Sequence, residues 1–340
     1  MPKFAAIGGI ALGEQKLAAS VSVVVCTHTE RRYALVRECL DSVAANTVRP
    51  HELIVVVDSN PALLQRLRAD PAVDARILAS TGRGVSSARN TGVAAATGEL
   101  VAFIDDDAVA APDWLGELCR PLEDPAIVAT GGRIAPRWEQ PNRLLPDELL
   151  WAVGSTYAGH PVVEQAITRP VGCNMAANRN ALDKVGGFPV EFGPRGPAAK
   201  SHSNEEIALA LQLRAAFGER CIWYAPAALV QHFVPAERGT WGYLWRRCLA
   251  EGVSKADVRM RYGAAALGYD RGYARHTLLP AIARYATRSV LRADRLSGAK
   301  AVAGMGALLV TGAAYAARLA TRRLRAPSPA SAPRPLSRRS

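Results

Sequence analysis

The feature that most constrains this chain is the stretch Leu100–Asp107, LVAFIDDD, where an apolar run ends abruptly in three aspartates. Leu100–Ile104 is short, mostly β-favouring and preceded by Gly98. This predicts a buried parallel strand whose C-terminal tip carries Asp105, Asp106 and Asp107. Three carboxylates at one tip repel one another unless a cation sits among them. Hard divalent ions take oxygen ligands, and Mg²⁺ often shares its sphere between one or two carboxylates and substrate phosphates. The plainer alternative is an acidic turn that caps the next helix, so the neighbouring sequence has to decide.

The neighbours alternate. VSVVVC (21–26) predicts a first strand, and Tyr33 to Ala45 a helix with Leu35, Val36, Cys39, Leu40 and Val43 on one face. LIVVV (53–57) predicts a second strand ending in the turn Asp58-Ser59-Asn60-Pro61, followed by a helix at 63–68 and a short strand at 75–78. Such a series gives an α/β fold, and ligands bind beyond the carboxyl ends of its strands. Thr27-His28, Asp58-Ser59 and Asp105–Asp107 stand at those ends.

Beyond Trp114 the pattern loosens. A strand is expected at 127–130, a surface excursion from Pro136 to Pro161, and a short helix closed by Gly186-Gly187-Phe188. Ser203-Asn204 is expected to cap an amphipathic helix opening with Glu205-Glu206 and carrying Leu209, Leu213 and Phe217, closed by Gly218. Two short strands follow at 221–224 and 228–230, with His232 just past the second.

The 340 residues leave room for one large α/β domain with an appendage, or for two domains. The net charge of +12 matters less than its distribution: from Arg318 onward there are seven arginines and no acidic residue. Phospholipid, nucleotide phosphate or nucleic acid would each suit such an excess. Six cysteines without a CxxC pair argue against a zinc module or a disulfide scaffold and suit a reducing compartment. The apolar stretch Phe4–Leu12 is followed by no clear cleavage site, so no secretory signal is expected. From Thr240 the chain is basic and helical, and residues 301–317 lack any charge, which just reaches the lower end of transmembrane length.

Six segments in this order resemble the family 2 glycosyltransferases, inverting nucleotide-sugar enzymes with the GT-A fold. They are VSVVVCTHTERR, LIVVVDSNP, GVSSARNTGVAAATGELVAFIDDDAVAAPDWL, VGCNMAANRNALDKVGGF, NEEIALALQLRAAFG and LVQHFVP. The resemblance implies a Rossmann-like mixed sheet flanked by helices, with a C-terminal helical extension. It divides the chain into a lead-in (1–20) and a catalytic domain (21–255), with a nucleotide-binding half to about 115 and an acceptor half from about 116. Beyond the resemblance, composition predicts a helical region (256–325) that could associate with a membrane, and a disordered basic tail (326–340).

By the same resemblance Asp105 faces the ribose, Asp107 joins a Mn²⁺ or Mg²⁺ ion to the diphosphate, and His232, with Asp105, completes the metal set. Asp58 reads the base edge, unless it only makes an Asx-turn. Thr27, His28, Asn90 and Asp106 fall on the nucleotide side, and Arg89 approaches the phosphates or makes a surface salt bridge. Bond cleavage builds charge on the leaving diphosphate, which a Lewis-acid ion neutralises. Inversion needs a base for the acceptor hydroxyl. The family usually shows Glu-Asp here with the second residue as base, which points to Glu206; the longer side chain leaves Glu205 as the alternative. Both could instead only favour the positive end of their helix.

The expected donor is a nucleoside diphosphate sugar and the acceptor a saccharide, a lipid-linked molecule or a small molecule. An anionic membrane surface is a further expected partner, with the chain cytoplasmic and peripheral at the inner face. The rivals fare worse. CTHTERR after the first strand is not GxGxxG, which excludes a Rossmann dehydrogenase, and no Gly-rich phosphate loop marks a nucleotidyltransferase. No nucleic-acid recognition motif accompanies the tail arginines. A non-catalytic nucleotide-sugar-binding protein on the same scaffold would be favoured by loss of the aspartates or the acidic pair, and both are retained.

Overall fold

The apolar runs of the first hundred residues pair as parallel strands. The computed structural model describes residues 17–142, 144–192 and 204–325. In it β1 (Val21–Thr27), β2 (Glu52–Val57), β3 (Arg76–Ala79) and β4 (Leu100–Asp105) lie in the order β3-β2-β1-β4, all parallel. Both faces of this half are covered, which explains the unbroken valines. Val23 and Val25 pack with Val36, Cys39, Leu40 and Val43 of α1 (Tyr33–Ala44). Val24 packs on the other face with Ala88 and Val93 of α3 (Val85–Ala95). Each of these buried valines contributes roughly 1.5–3 kcal/mol. The small residues of α3 bring it close: a Cβ on Gly92 would meet Val24 Cγ1 at 2.4 Å. Asn60, through Oδ1, accepts from Leu63 N and caps α2 (Pro61–Ala69).

The second half of the sheet is mixed. After β4 come β5 (Ala108–Ala110), α4 (Trp114–Cys119), β6 (Ala129–Trp138), β7 (Gln165–Ala166), β8 (Asn174–Asn178), α5 (Arg179–Val185), α6 (Glu205–Phe217) and β9 (Ile222–Val234). β8 runs antiparallel between β4 and β6, β6 pairs with β9 in parallel, and β5 and β7 run antiparallel to β9.

Four expectations need correcting here. The strand expected at 127–130 begins at Ala129 and runs on to Trp138. The two short strands at 221–230 are one continuous β9, so His232 lies inside it. Pro226 does not break this strand because the register shifts there, from Gly132↔Ala225 to Arg133↔Leu229. Asn174 fills that shift: Nδ2 donates to the carbonyls of Arg133 (2.9 Å) and Ala228 (2.8 Å), and Oδ1 accepts from Trp114 Nε1 (2.8 Å). The span 136–161 is no surface excursion, since Leu144, Leu145, Leu149, Ala152 and Val153 are buried in a third core. Finally, α6 has no single apolar face. Leu209, Ala210 and Leu213 pack toward the sheet and Ile207 and Ala208 toward the C-terminal helices, while Asn204 precedes it at φ 80° without a side-chain cap bond.

The C-terminal part is helical: α7 (Trp241–Tyr262), α8 (Gly268–Tyr273), α9 (Leu279–Leu291) and α10 (Arg295–Arg325). Thr240 caps α7, which runs without a break through residue 255. α10 lies against α7 and α9 through glycines. An added Cβ would meet Thr311 O at 2.3 Å from Gly252, Trp245 at 2.4 Å from Gly306, and Ile282 at 2.7 Å from Gly304. Residues 1–16, most of the expected lead-in, Ser203 and the tail 326–340 lie outside the described residues.

Candidate active site

Strand pairing assembles the site. β4 ends at Asp105, the chain turns through Asp106 and Asp107, and β5 then pairs with β9 so that Ala108 stands opposite His232. Phe233 N donates to Asp107 O at 2.8 Å and fixes this register. A ligand atom from each of Asp105, Asp107 and His232 lies within 4.8 Å of the others. His232 Nε2 is 3.2 Å from Asp107 Oδ1. Yet Asp107 Oδ1 and His232 Nδ1 are buried without a hydrogen-bond partner among the described residues. Two carboxylates and an imidazole with such atoms to spare fit a divalent cation.

The three aspartates have different surroundings. Asp105 is the most open, its side chain 38% exposed. Asp106 turns inward, where Arg32 Nη1 donates to it at 2.7 Å, and it does not line the cavity. Burial pushes its carboxyl up, against Arg32 and Thr27. Burial also opposes ionisation of Asp107, but His232, Arg32 and Arg238 outweigh it and bring its pKa down to about 2. Arg32 therefore clamps two aspartates, reaching Asp107 Oδ2 at 3.0 Å. The sequence reading missed this residue. ERR at the end of the first loop shows charge, and only the turn Glu30–Arg32 ahead of α1 decides which arginine points inward.

The second group gathers around Arg89. It is no surface salt bridge: α3 carries it into the interior, over the Phe188 ring and under Gly172, whose added Cβ would sit 2.2 Å from Nη2. Nη1 donates to Glu205 Oε1 at 3.0 Å and stands 3.6 Å from Glu206 Oε1, while Nη2 stands 3.6 Å from Asp105 Oδ1. One buried cation thus joins the metal-type cluster to the acidic pair. Burial works against its charge, but Glu206, Glu205 and Asp105 outweigh it and hold the guanidinium above its ordinary range. Glu205 is buried, and desolvation with the neighbouring Glu206 charge pushes it up to about 8 despite Arg89. Glu206 is more open, 19% against 6% by side chain, and accepts from Gly172 N at 3.1 Å.

The remaining expected residues are placed as follows. Asp58 holds Gly84, the φ 95° residue opening α3, through Oδ2 at 2.8 Å, and accepts from Ser59 Oγ through Oδ1. Asn60, two residues on, caps α2. Thr27 is buried at the β1 tip and His28 beside it is exposed. Asn90 spends its amide on Phe188, donating to O and accepting from N at 2.8 Å each, so it braces the Gly186-Gly187-Phe188 turn and not the nucleotide side. Asp105, Asp107, His232, Glu205 and Glu206 open on one cavity, together with Arg32 and Arg238, a second residue the sequence reading passed over.

Residues 22–186 match the family described as Glycosyl transferase family 2. The chain is 34% identical over 250 residues to the glucosyl-dolichyl phosphate glucuronosyltransferase of Haloferax volcanii, covering 72% of this chain and 79% of that protein. It is 27% identical over 307 residues to the succinoglycan biosynthesis protein ExoM of Rhizobium meliloti, covering 82% and 92%. Among solved structures it resembles the mannosyltransferase PcManGT of Pyrobaculum calidifontis, in complex with GDP-Man and Mn²⁺, with a TM-score of 0.53 at 22% identity over 91% and 88% of the two chains. The shared architecture is the GT-A fold.

Proposed function

The chain belongs to glycosyltransferase family 2, and from that premise we propose that it moves a sugar, with inversion, from a nucleoside diphosphate sugar to an acceptor hydroxyl. One observation supports the mechanism: both glutamates line the cavity that holds Asp105, Asp107 and His232, but Glu206 is the more open of the two while Glu205 is buried and accepts from Arg89. Inversion needs the base on one side of the anomeric carbon and the leaving group on the other. Glu206 takes the acceptor proton, with the Gly172 N–H orienting its carboxylate. Asp105, Asp107 and His232 would hold Mn²⁺ or Mg²⁺, which supplies Lewis-acid neutralisation of the diphosphate when bound. Arg32 keeps Asp107 ionised and oriented, and Arg238 adds positive charge at the same wall. Thr27, His28 and Asp58, at the tips of β1 and β2, bind the nucleoside.

The relatives that act on glucosyl-dolichyl phosphate or in succinoglycan assembly support a place in glycolipid or cell-surface polysaccharide synthesis. Within the helix from Arg295 to Thr321 an 18-residue stretch has a mean hydropathy of 1.4, and 17% of that stretch is buried. It exposes Val302, Met305 and Leu309, near Arg292, Arg295 and Lys300. We place this face on the inner surface of a membrane, attracted by anionic lipid and not spanning it. The test of the site is calorimetry of UDP and GDP with Mn²⁺. Asp107→Ala should abolish the metal-dependent part of nucleotide binding; retention of that part would overturn the ligand assignment.

A further inference from the structure

Past Glu206 the cavity runs on, with a total volume of about 1120 Å³, into a chamber between residues 151–170 and helices α7, α8 and α10. That exceeds what one acceptor sugar fills. The two ends of this space carry opposite charge. Asp105, Asp107, Glu205 and Glu206 make the catalytic end acidic. At the far end Lys255 bridges Asp270 (2.5 Å) and Glu251 (3.5 Å), Arg247 reaches Glu251 at 3.2 Å, and Arg169 stands 3.7 Å from Asp270. Three cations thus face two carboxylates, and Arg246 and Arg259 add to the same lining.

Between the charged groups the wall is apolar, with Leu278 from the turn before α9 and Ala307 and Leu308 from α10. Gly312 lines the chamber and is also exposed, so the space meets the surface along α10. Val302, Met305 and Leu309 of the same helix are exposed, and Met305 stands two turns before Gly312 on one side of it. The mouth of the chamber therefore adjoins an apolar surface suited to lipid.

We infer that the chamber is the acceptor subsite for a saccharide carried on a lipid phosphate. Its reacting hydroxyl lies at Glu206, its phosphate among Arg246, Arg247 and Lys255, and its chain leaves along α10. Neither a free sugar nor a water-soluble phosphate uses all three linings. This rests on the glycosyltransferase reading above and specifies the acceptor class that reading leaves open.

The test uses the full chain with Mn²⁺ and nucleoside diphosphate, titrated by calorimetry with farnesyl phosphate, farnesol and inorganic phosphate. Farnesyl phosphate should bind at least about tenfold more tightly than either fragment, because it alone engages both the cations and the apolar wall. Leu308→Trp, which fills the chamber, should remove that binding, and Arg246→Gln at the exposed rim should weaken farnesyl phosphate but not farnesol. Nucleotide–Mn²⁺ affinity should stay unchanged in both. Farnesol or inorganic phosphate binding as tightly as farnesyl phosphate overturns the inference, as does full binding in folded Leu308→Trp. If farnesyl phosphate binds as expected while nucleotide and Mn²⁺ do not, the donor site is misread and the subsite stands.

Discussion

The two ends of the cavity are built in opposite ways. At the catalytic end the side chains are delivered by backbone: β5 against β9 sets His232 beside Asp107, and Asn174 fills the register shift that makes β9 continuous. At the far end no strand contributes a charge to the network. Arg169, Arg247, Glu251, Lys255 and Asp270 come from one loop and two helices and pair with one another through side chains. A backbone-defined constellation resists change and suits chemistry that must stay fixed. A side-chain network can be rewritten one residue at a time, which suits the part that chooses an acceptor.

The contrast can be broken most sharply at Glu206. Glu206→Gln keeps the shape and removes the proton acceptor, so turnover measured as nucleotide release should fall by roughly two to four orders of magnitude. Donor affinity should barely move. Loss in Glu205→Gln with activity kept in Glu206→Gln would exchange the two roles. Next comes the backbone frame. Asn174→Ala leaves the Trp114 N–H and the carbonyls of Arg133 and Ala228 without their buried partner, at about 1–3 kcal/mol for each orphaned group. Chemical denaturation should show that loss, whereas Arg246→Gln at the far end should leave stability unchanged.

A smaller effect separates the two glutamates by pH. The folded pKa of Glu205 is raised to about 8 from an ordinary value near 4.5. Between these values the native state binds a proton that the unfolded chain does not, so stability falls as pH rises through the window and levels off above about 8. Glu205→Gln should remove that contribution, and denaturation curves at pH 5 and pH 8.5 would reveal an unaltered slope if the raised pKa is wrong. The smallest expected effect lies outside the cavity. Val302→Asp with Leu309→Asp should reduce flotation with phosphatidylglycerol vesicles at low salt and leave nucleotide–Mn²⁺ binding intact. Equal flotation of both proteins would detach α10 from the membrane.

The same contrast sets what the sequence discloses. The parallel half is readable because valines buried on both faces leave unbroken apolar runs, and because the polar residues that stop each run stand at the strand tips. His232 can be read as a histidine near a strand end after an acidic helix. What cannot be read is anything decided by register or by distant helices. Pro226 suggests two strands, and only the pairing with β6 shows one. The segment 136–161 mixes proline and polar residues with its leucines, which find their packing partners only far along the chain, in the end of β9 and in α7, α9 and α10. Arg32 and Arg89 look alike as surface charges until the fold turns both of them onto carboxylates.

The position of α10 in the chain has a consequence for how the molecule is made. The nine strands of the described residues have all been synthesised once Val234 leaves the ribosome, yet the helix that closes the chamber begins only at Arg295. At about 5–20 residues per second this leaves an interval of several seconds. During it Leu149, Val153, Leu244 and Cys248, all later covered in the third core, have no α10 to meet. The nascent protein can thus complete its sheet while this apolar flank is still open.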